Sequence, residues 1–189
     1  MCAPGGPEGA RLAAAMAPAR ERAHVGQGTA NRCWFIGGLM VELLWLVDPE
    51  EAAAGPAAPL RFAERAAWRT TGASPFGVAL RDDGAPPPFR AWEYRPPYLP
   101  EGRFIPIADA PVTEPVLFTS PGRSIPEGEV RASVNCEIRM PHWERSSPLA
   151  GLEIPGLTLT TGDPLMVVTV EGASTVIDLR PDLPLRMDL

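Results

Sequence analysis

The chain has 189 residues, enough for one sizeable domain or several small modules sharing a core, and its 45% hydrophobic and 21% charged content is that of a folded globular protein. Its formal net charge is −6 and all 17 basic residues are Arg with no block among them, which argues against a nucleic-acid surface. Three cysteines (Cys2, Cys33, Cys136) without Cys-x-x-Cys spacing suit a reducing compartment. No charged segment leads into an apolar run, and the most apolar stretch, Cys33 to Val47, is too short for a bilayer and contains Glu42, so the sequence predicts a cytoplasmic protein without a membrane partner.

With 24 prolines and 18 glycines, short strands and turns are expected rather than long helices. Pro7 to Ala17 reads as a short Ala-rich helix: Pro7 suits a first helical position, Leu12 and Met16 lie four apart, and Pro18 stops it. Thr29 to Ile36 and Leu39 to Val47 are strand-like runs joined by Gly37-Gly38, the spacing and residue type of a tight hairpin. An Ala-rich linker after Asp48-Pro49 leads to a helix expected from Pro59 to about Arg69, closed by Gly72. Phe76 to Arg81 is a short strand. Ala91 to Tyr98 and Phe104 to Ala108 are extended pieces whose prolines imply sheet edges or bulges, and Val116 to Thr119 is another strand.

Pro121 to Gly128 reads as a linker. Beyond it come a strand (Ser133 to Met140), a broken helix or loop (Ser147 to Leu152) and strands at Leu157 to Thr161, Leu165 to Val170 and Ser174 to Arg180. Glu171-Gly172-Ala173 is expected to join the last two as a second hairpin, with Pro181 and Pro184 ending the ordered pattern. The recurrence of strand, helix or loop, then several strands predicts an α+β architecture.

The first hairpin fixes a register. With Gly37-Gly38 as its loop, Cys33 faces Glu42 and Asn31 faces Leu44, and alternation puts Thr29, Asn31, Cys33, Phe35, Met40, Glu42, Leu44 and Leu46 on one face. Glu42 is then a carboxylate inside an apolar strand. Burying it unpaired costs several kcal/mol or raises its pKa until it is neutral, so it needs a metal, a cation or hydrogen-bond donors. Arg32, or Asn31 with a water, could satisfy it structurally instead.

The segment His24-Val25-Gly26-Gln27-Gly28-Thr29-Ala30-Asn31-Arg32, followed by Met40-Val41-Glu42-Leu43-Leu44, resembles the H-P-G-x-G-T-x-N … Y-L-E-L pattern of glyoxalase-like proteins in the vicinal-oxygen-chelate superfamily. The order of the later elements is similar as well, so the resemblance spans most of the chain. It implies paired βαβββ-type modules forming curved mixed sheets around a cleft, with a first module over 1–48, a linker helix over 49–73, a second module over 74–120 and a partial third over 121–189. In metal-dependent members a His on the first strand and a Glu on the fourth strand of each module hold a divalent ion. Glu42 matches one such Glu. The expected first strand with its Asp-His is absent, Phe76 to Arg81 has no His, and Glu114 sits just outside Val116 to Thr119.

The resemblance therefore implies a protein that binds a small organic molecule without a complete metal site. The alternative is a metal-dependent lyase, isomerase or dioxygenase with Glu42 as one ligand of a divalent metal. A homodimer follows by analogy only. Candidate ligand-binding residues are His24, Gln27 and Asn31 from the motif, together with Trp92, Tyr94, Arg95 and Tyr98. Those aromatics combine apolar contact with polar tips, and Arg95 suits an anionic group. His24, before Gly26, is the residue type that fixes loops by hydrogen bonding, and His142 at a strand end reads as a surface residue.

Overall fold

A computed structural model describes residues 7–16, 18, 20–120 and 133–189. The protein is α+β, with short helices and three open sheets. Helix α1 (Pro7–Ala15) has Pro7 at its start, as expected, and buries Leu12 completely. The first sheet is antiparallel, in the order β1 (Arg20–His24), β2 (Thr29–Ile36), β3 (Leu39–Leu46). The expected Gly37-Gly38 hairpin is present in the expected register, with Cys33 opposite Glu42 and Asn31 opposite Leu44. Strand β1 was not legible in Arg-Glu-Arg-Ala-His, because an edge strand with four exposed residues shows no apolar alternation.

Gly28 turns the chain between β1 and β2. Its φ is +69°, and a Cβ there would lie 2.2 Å from the Asp48 carbonyl oxygen, so only Gly fits. Asp48 then caps α2 (Pro49–Ala53), accepting from the amides of Glu50 and Glu51 at 3.0 Å each. The region expected to be a linker and one helix from Pro59 is instead a chain of short pieces. A 3-10 turn (Gly55–Leu60) follows α2, and α3 (Phe62–Ala66) and α4 (Trp68–Thr71) come next, with Gly72 closing the last. Pro59 inside the turn and a left-handed Arg61 (φ 52°) prevent a continuous helix.

The middle sheet runs β4 (Gly77–Arg81), β7 (Val116–Ser120), β6 (Ile105–Ala108), β5 (Ala91–Tyr94), with β4 parallel to β7. No helix lies between β4 and β5, where the βαβββ pattern implies one; residues 82–90 form bends. Pro106 was expected at an edge or bulge. It lies in an inner strand, and the ladder from β6 to β7 shrinks to the single pair Ile107 and Phe118.

The third sheet runs β11 (Val176–Asp178), β12 (Leu185–Asp188), β10 (Leu165–Val170), β8 (Val134–Met140), β9 (Leu157–Thr161). The expected second hairpin does not form. Strand β12 inserts between β10 and β11, parallel to the former and antiparallel to the latter. Order therefore continues past Pro184, because Leu183, Leu185 and Met187 alternate inward and are buried. The linker expected at Pro121 to Gly128 lies outside the described residues. Among the described residues no helix is long and apolar enough to cross a membrane.

The two faces of the first sheet pack differently. Trp34, Val41, Leu43 and Trp45 on the back join Leu12 of α1 with Val168, Leu179 and Met187 of the C-terminal segment in one buried cluster. On the front, the end carrying Leu44 and Leu46 is packed under Tyr94, Ile105 and Ile107 of the middle sheet and Leu60 and Phe62, while Thr29, Asn31 and Cys33 are buried and Glu42 reaches solvent.

Candidate functional site

Cross-strand pairing gathers a polar set on the front face. Arg22 lies opposite Asn31, His24 opposite Thr29 and Cys33 opposite Glu42, so all six side chains share that face. The middle sheet adds Tyr94 from β5 and Tyr98 from the turn after it. Both hydroxyls donate to Oε1 of buried Gln27, at 2.7 and 3.1 Å.

His24 is buried, with hydrogen-bond partners at both ring nitrogens. Nε2 is 3.1 Å from the Arg22 guanidinium and Nδ1 is 3.0 Å from Thr29 Oγ1. Arginine can only donate, so Nε2 must accept and the proton sits on Nδ1, donated to Thr29. Gln27 Nε2 donates to the same Thr29 oxygen at 2.6 Å. Burial, reinforced by the charge of Arg22, pushes the imidazole pKa down to about 4, so His24 is neutral at pH 7. This is the loop-fixing role that its position before Gly26 suggested.

Glu42 is in a different state. It reaches solvent, yet the protein around it desolvates its carboxyl. Its protein hydrogen bond comes from Asn31 Nδ2, at 2.8 Å. Desolvation raises its pKa, and neither that bond nor the Arg22 charge reverses the shift. Asn31 is itself 3% exposed, and its Oδ1 is buried with no donor. Arg32, the other sequence candidate for satisfying Glu42, points to the back face, where it pairs with Glu21 at 2.8 Å and lies over Trp45.

The motif residues His24, Gln27, Asn31 and Glu42 thus come together with Tyr94 and Tyr98. Trp92 does not join them as a polar wall: it is half-buried in the apolar cluster around Leu44 and Leu46, edge-on to Tyr94 at 6.0 Å. Arg95 is exposed, paired with Glu93 and stacked over Phe104, so its charge is already compensated. His142 is exposed, as expected. Arg22 was missed by the sequence reading because β1 was missed. Once that strand is in register, alternation from Asn31 places Arg22 on the front.

Glu114, just before β7, is buried and accepts from Ser147 Oγ at 2.5 Å, and burial raises its pKa. Its backbone carbonyl accepts from Arg65 at 2.8 Å. Buried Arg65 also donates to the carbonyls of Leu60 and Ser74, so this cluster ties the middle sheet to its neighbours. Two open depressions of about 530 and 560 Å3 lie elsewhere, beside Glu137, Arg139 and Arg180 and beside Leu152, Pro155 and Leu159. The first is lined by arginines already paired with neighbouring acids, and the second carries Glu153 as its one charged side chain, so the perturbed polar groups of the front face remain the stronger site.

A divalent metal does not fit the front face as built. Glu42 is one carboxylate, both nitrogens of His24 are engaged, and a guanidinium shares the surface. Among the described residues no three His, Cys, Asp or Glu side chains group closely enough to hold an ion. No family model, curated protein or solved structure matches the chain.

Proposed function

We propose that this chain is a glyoxalase-like protein of the vicinal-oxygen-chelate superfamily that binds a small organic molecule on the front face of the first sheet, in the cytoplasm and without a resident metal. The observation that carries the reading is the pair Glu42 and Asn31. A carboxyl with a raised pKa meets solvent beside a buried amide whose carbonyl oxygen has no donor among the described residues. Glu42 reaches solvent and takes one protein hydrogen bond, from Asn31, which leaves acceptor capacity that a ligand hydroxyl can use. Gln27, Tyr94 and Tyr98 form a satisfied wall beside it.

Two-dimensional NMR of the full chain with a small-molecule fragment set tests the site. Saturable shifts at Asn31, Glu42 and Tyr98 are expected; shifts confined to the depressions beside Arg139 or Leu152 would remove it. Metal analysis after exhaustive dialysis tests the metal-free reading, and stoichiometric divalent metal would overturn it.

A further inference from the structure

The front-face strand positions carry two arginines, Arg20 and Arg22, and a single acid, Glu42. Eight arginines elsewhere in the described residues pair with a carboxylate within 4.0 Å. Arg22 has no such partner among the described residues. One of its terminal nitrogens meets His24 Nε2 at 3.1 Å, and its guanidinium lies 5.4 Å above the Tyr98 ring. Tyr98 is fixed in turn, 5.2 Å from the His24 ring and hydrogen-bonded to Gln27. The guanidinium is therefore held in place by a neutral imidazole and an aromatic face, while Arg22 itself is exposed and the rest of its fork has no acceptor among the described residues.

A planar fork fixed in this way matches a carboxylate, which it can bind through two parallel hydrogen bonds with little further ordering. Glu42 does not fill that role. It sits two strands away, roughly 10 Å across the sheet, and its hydrogen bond is to Asn31. Asn31 lies between the two, directly opposite Arg22 in register, with Nδ2 committed to Glu42 and Oδ1 lacking a donor. The face thus offers an unmatched positive fork on β1 and a hydrogen-bonding pair across β2 and β3.

We infer that Arg22 anchors the ligand's anionic end and that the ligand is a small organic carboxylate bearing a hydroxyl, which the Glu42 carboxyl receives. The inference rests on the front-face binding reading above and adds the ligand's chemical class. Geometry supports it: Glu42 reaches solvent and its protein hydrogen bond is the one from Asn31, so its carboxyl keeps acceptor capacity for a ligand hydroxyl.

Matched probes separate the two claims: mandelate against mandelamide and lactate against lactamide, titrated into the full chain and followed by the NMR signals of Asn31 and Tyr98. The acids are expected to bind roughly tenfold or more tighter than the amides, the factor for losing a hydrogen bond to a charged group. Arg22→Gln should erase that preference, and Arg22→Lys should keep part of it. Amides that shift Asn31 and Tyr98 as well as the acids do, or a preference that survives in Arg22→Gln, would overturn the anchor and leave the site standing. If no probe shifts a front-face signal, the ligand class and the binding site fall together. Should Arg22→Gln not fold, the acid and amide comparison in the unaltered protein and in Arg22→Lys decides the point.

Discussion

The two faces of β2 and β3 belong to the same sixteen residues and do opposite things. The back buries Trp34 fully and Val41, Leu43 and Trp45 nearly so, against α1 and the C-terminal segment. The front keeps Asn31 and Glu42 beside a neutral histidine and an unmatched arginine. Period-two alternation lets one hairpin be core on one side and candidate site on the other, and a slip of one residue would exchange them. On the proposed reading, stability and recognition are separable by residue parity, so substitutions at neighbouring positions should have unlike consequences.

The largest expected effect is on the back. Trp34 is fully buried, and its indole N–H donates to the Met16 carbonyl at 2.8 Å, pinning the end of α1. Trp34→Ala leaves a cavity and an unpaired carbonyl, and should cost about 3–5 kcal/mol in denaturant unfolding. Arg22→Gln on the front, exposed on an edge strand, should stay within about 0.5 kcal/mol of the parent. Equal losses from both would mean that the faces are not energetically distinct.

An intermediate effect is expected where the middle sheet meets the front. Tyr94→Phe removes a 2.7 Å hydrogen bond to Gln27 but leaves Tyr98 donating to the same oxygen at 3.1 Å. A loss of about 1 kcal/mol follows, and Tyr98→Phe should cost less because Tyr98 is only partly buried. The double variant should lose more than the sum, since Gln27 Oε1 is then left without a hydroxyl donor.

How legible this was in the sequence differs by face and by element. The Gly37-Gly38 loop fixed β2, β3 and their register, because a two-residue hairpin leaves no freedom in pairing, and parity then put Glu42 beside Asn31. His24, Gln27, Tyr94 and Tyr98 could be nominated as residue types, but their meeting depends on how the middle sheet packs over Leu44, which no local pattern encodes. Arg22 was hidden because an exposed edge strand has no hydrophobic period. The second hairpin failed for a related reason: Glu171-Gly172-Ala173 is good turn chemistry, and whether β11 or β12 lies next to β10 is decided by burial of Leu185 and Met187. Trp92 was drawn toward the site by its ring and belongs to the core.

The smallest effect, and the most diagnostic, concerns Glu42. Its folded-state pKa lies above the ordinary value of 4.5, so between the two values the folded protein holds a proton that the unfolded chain has lost. Stability from this group is therefore lost as the pH rises from about 4.5 through the raised value. His24 acts in the opposite sense. With its pKa lowered from 6.5 to about 4, it takes stability away as the pH falls through that range. The two slopes oppose one another in the parent protein, so its stability profile alone reveals neither. Glu42→Gln keeps an acceptor for Asn31 and keeps His24, so subtracting one profile from the other isolates the carboxyl. The variant should gain on the parent as the pH is raised above 4.5, by a modest amount because solvent reaches the carboxyl and screens it. A difference that is flat with pH would mean that Glu42 ionises as an ordinary surface acid, and the front face would then be a solvated surface no different in kind from the exposed strand edges around it.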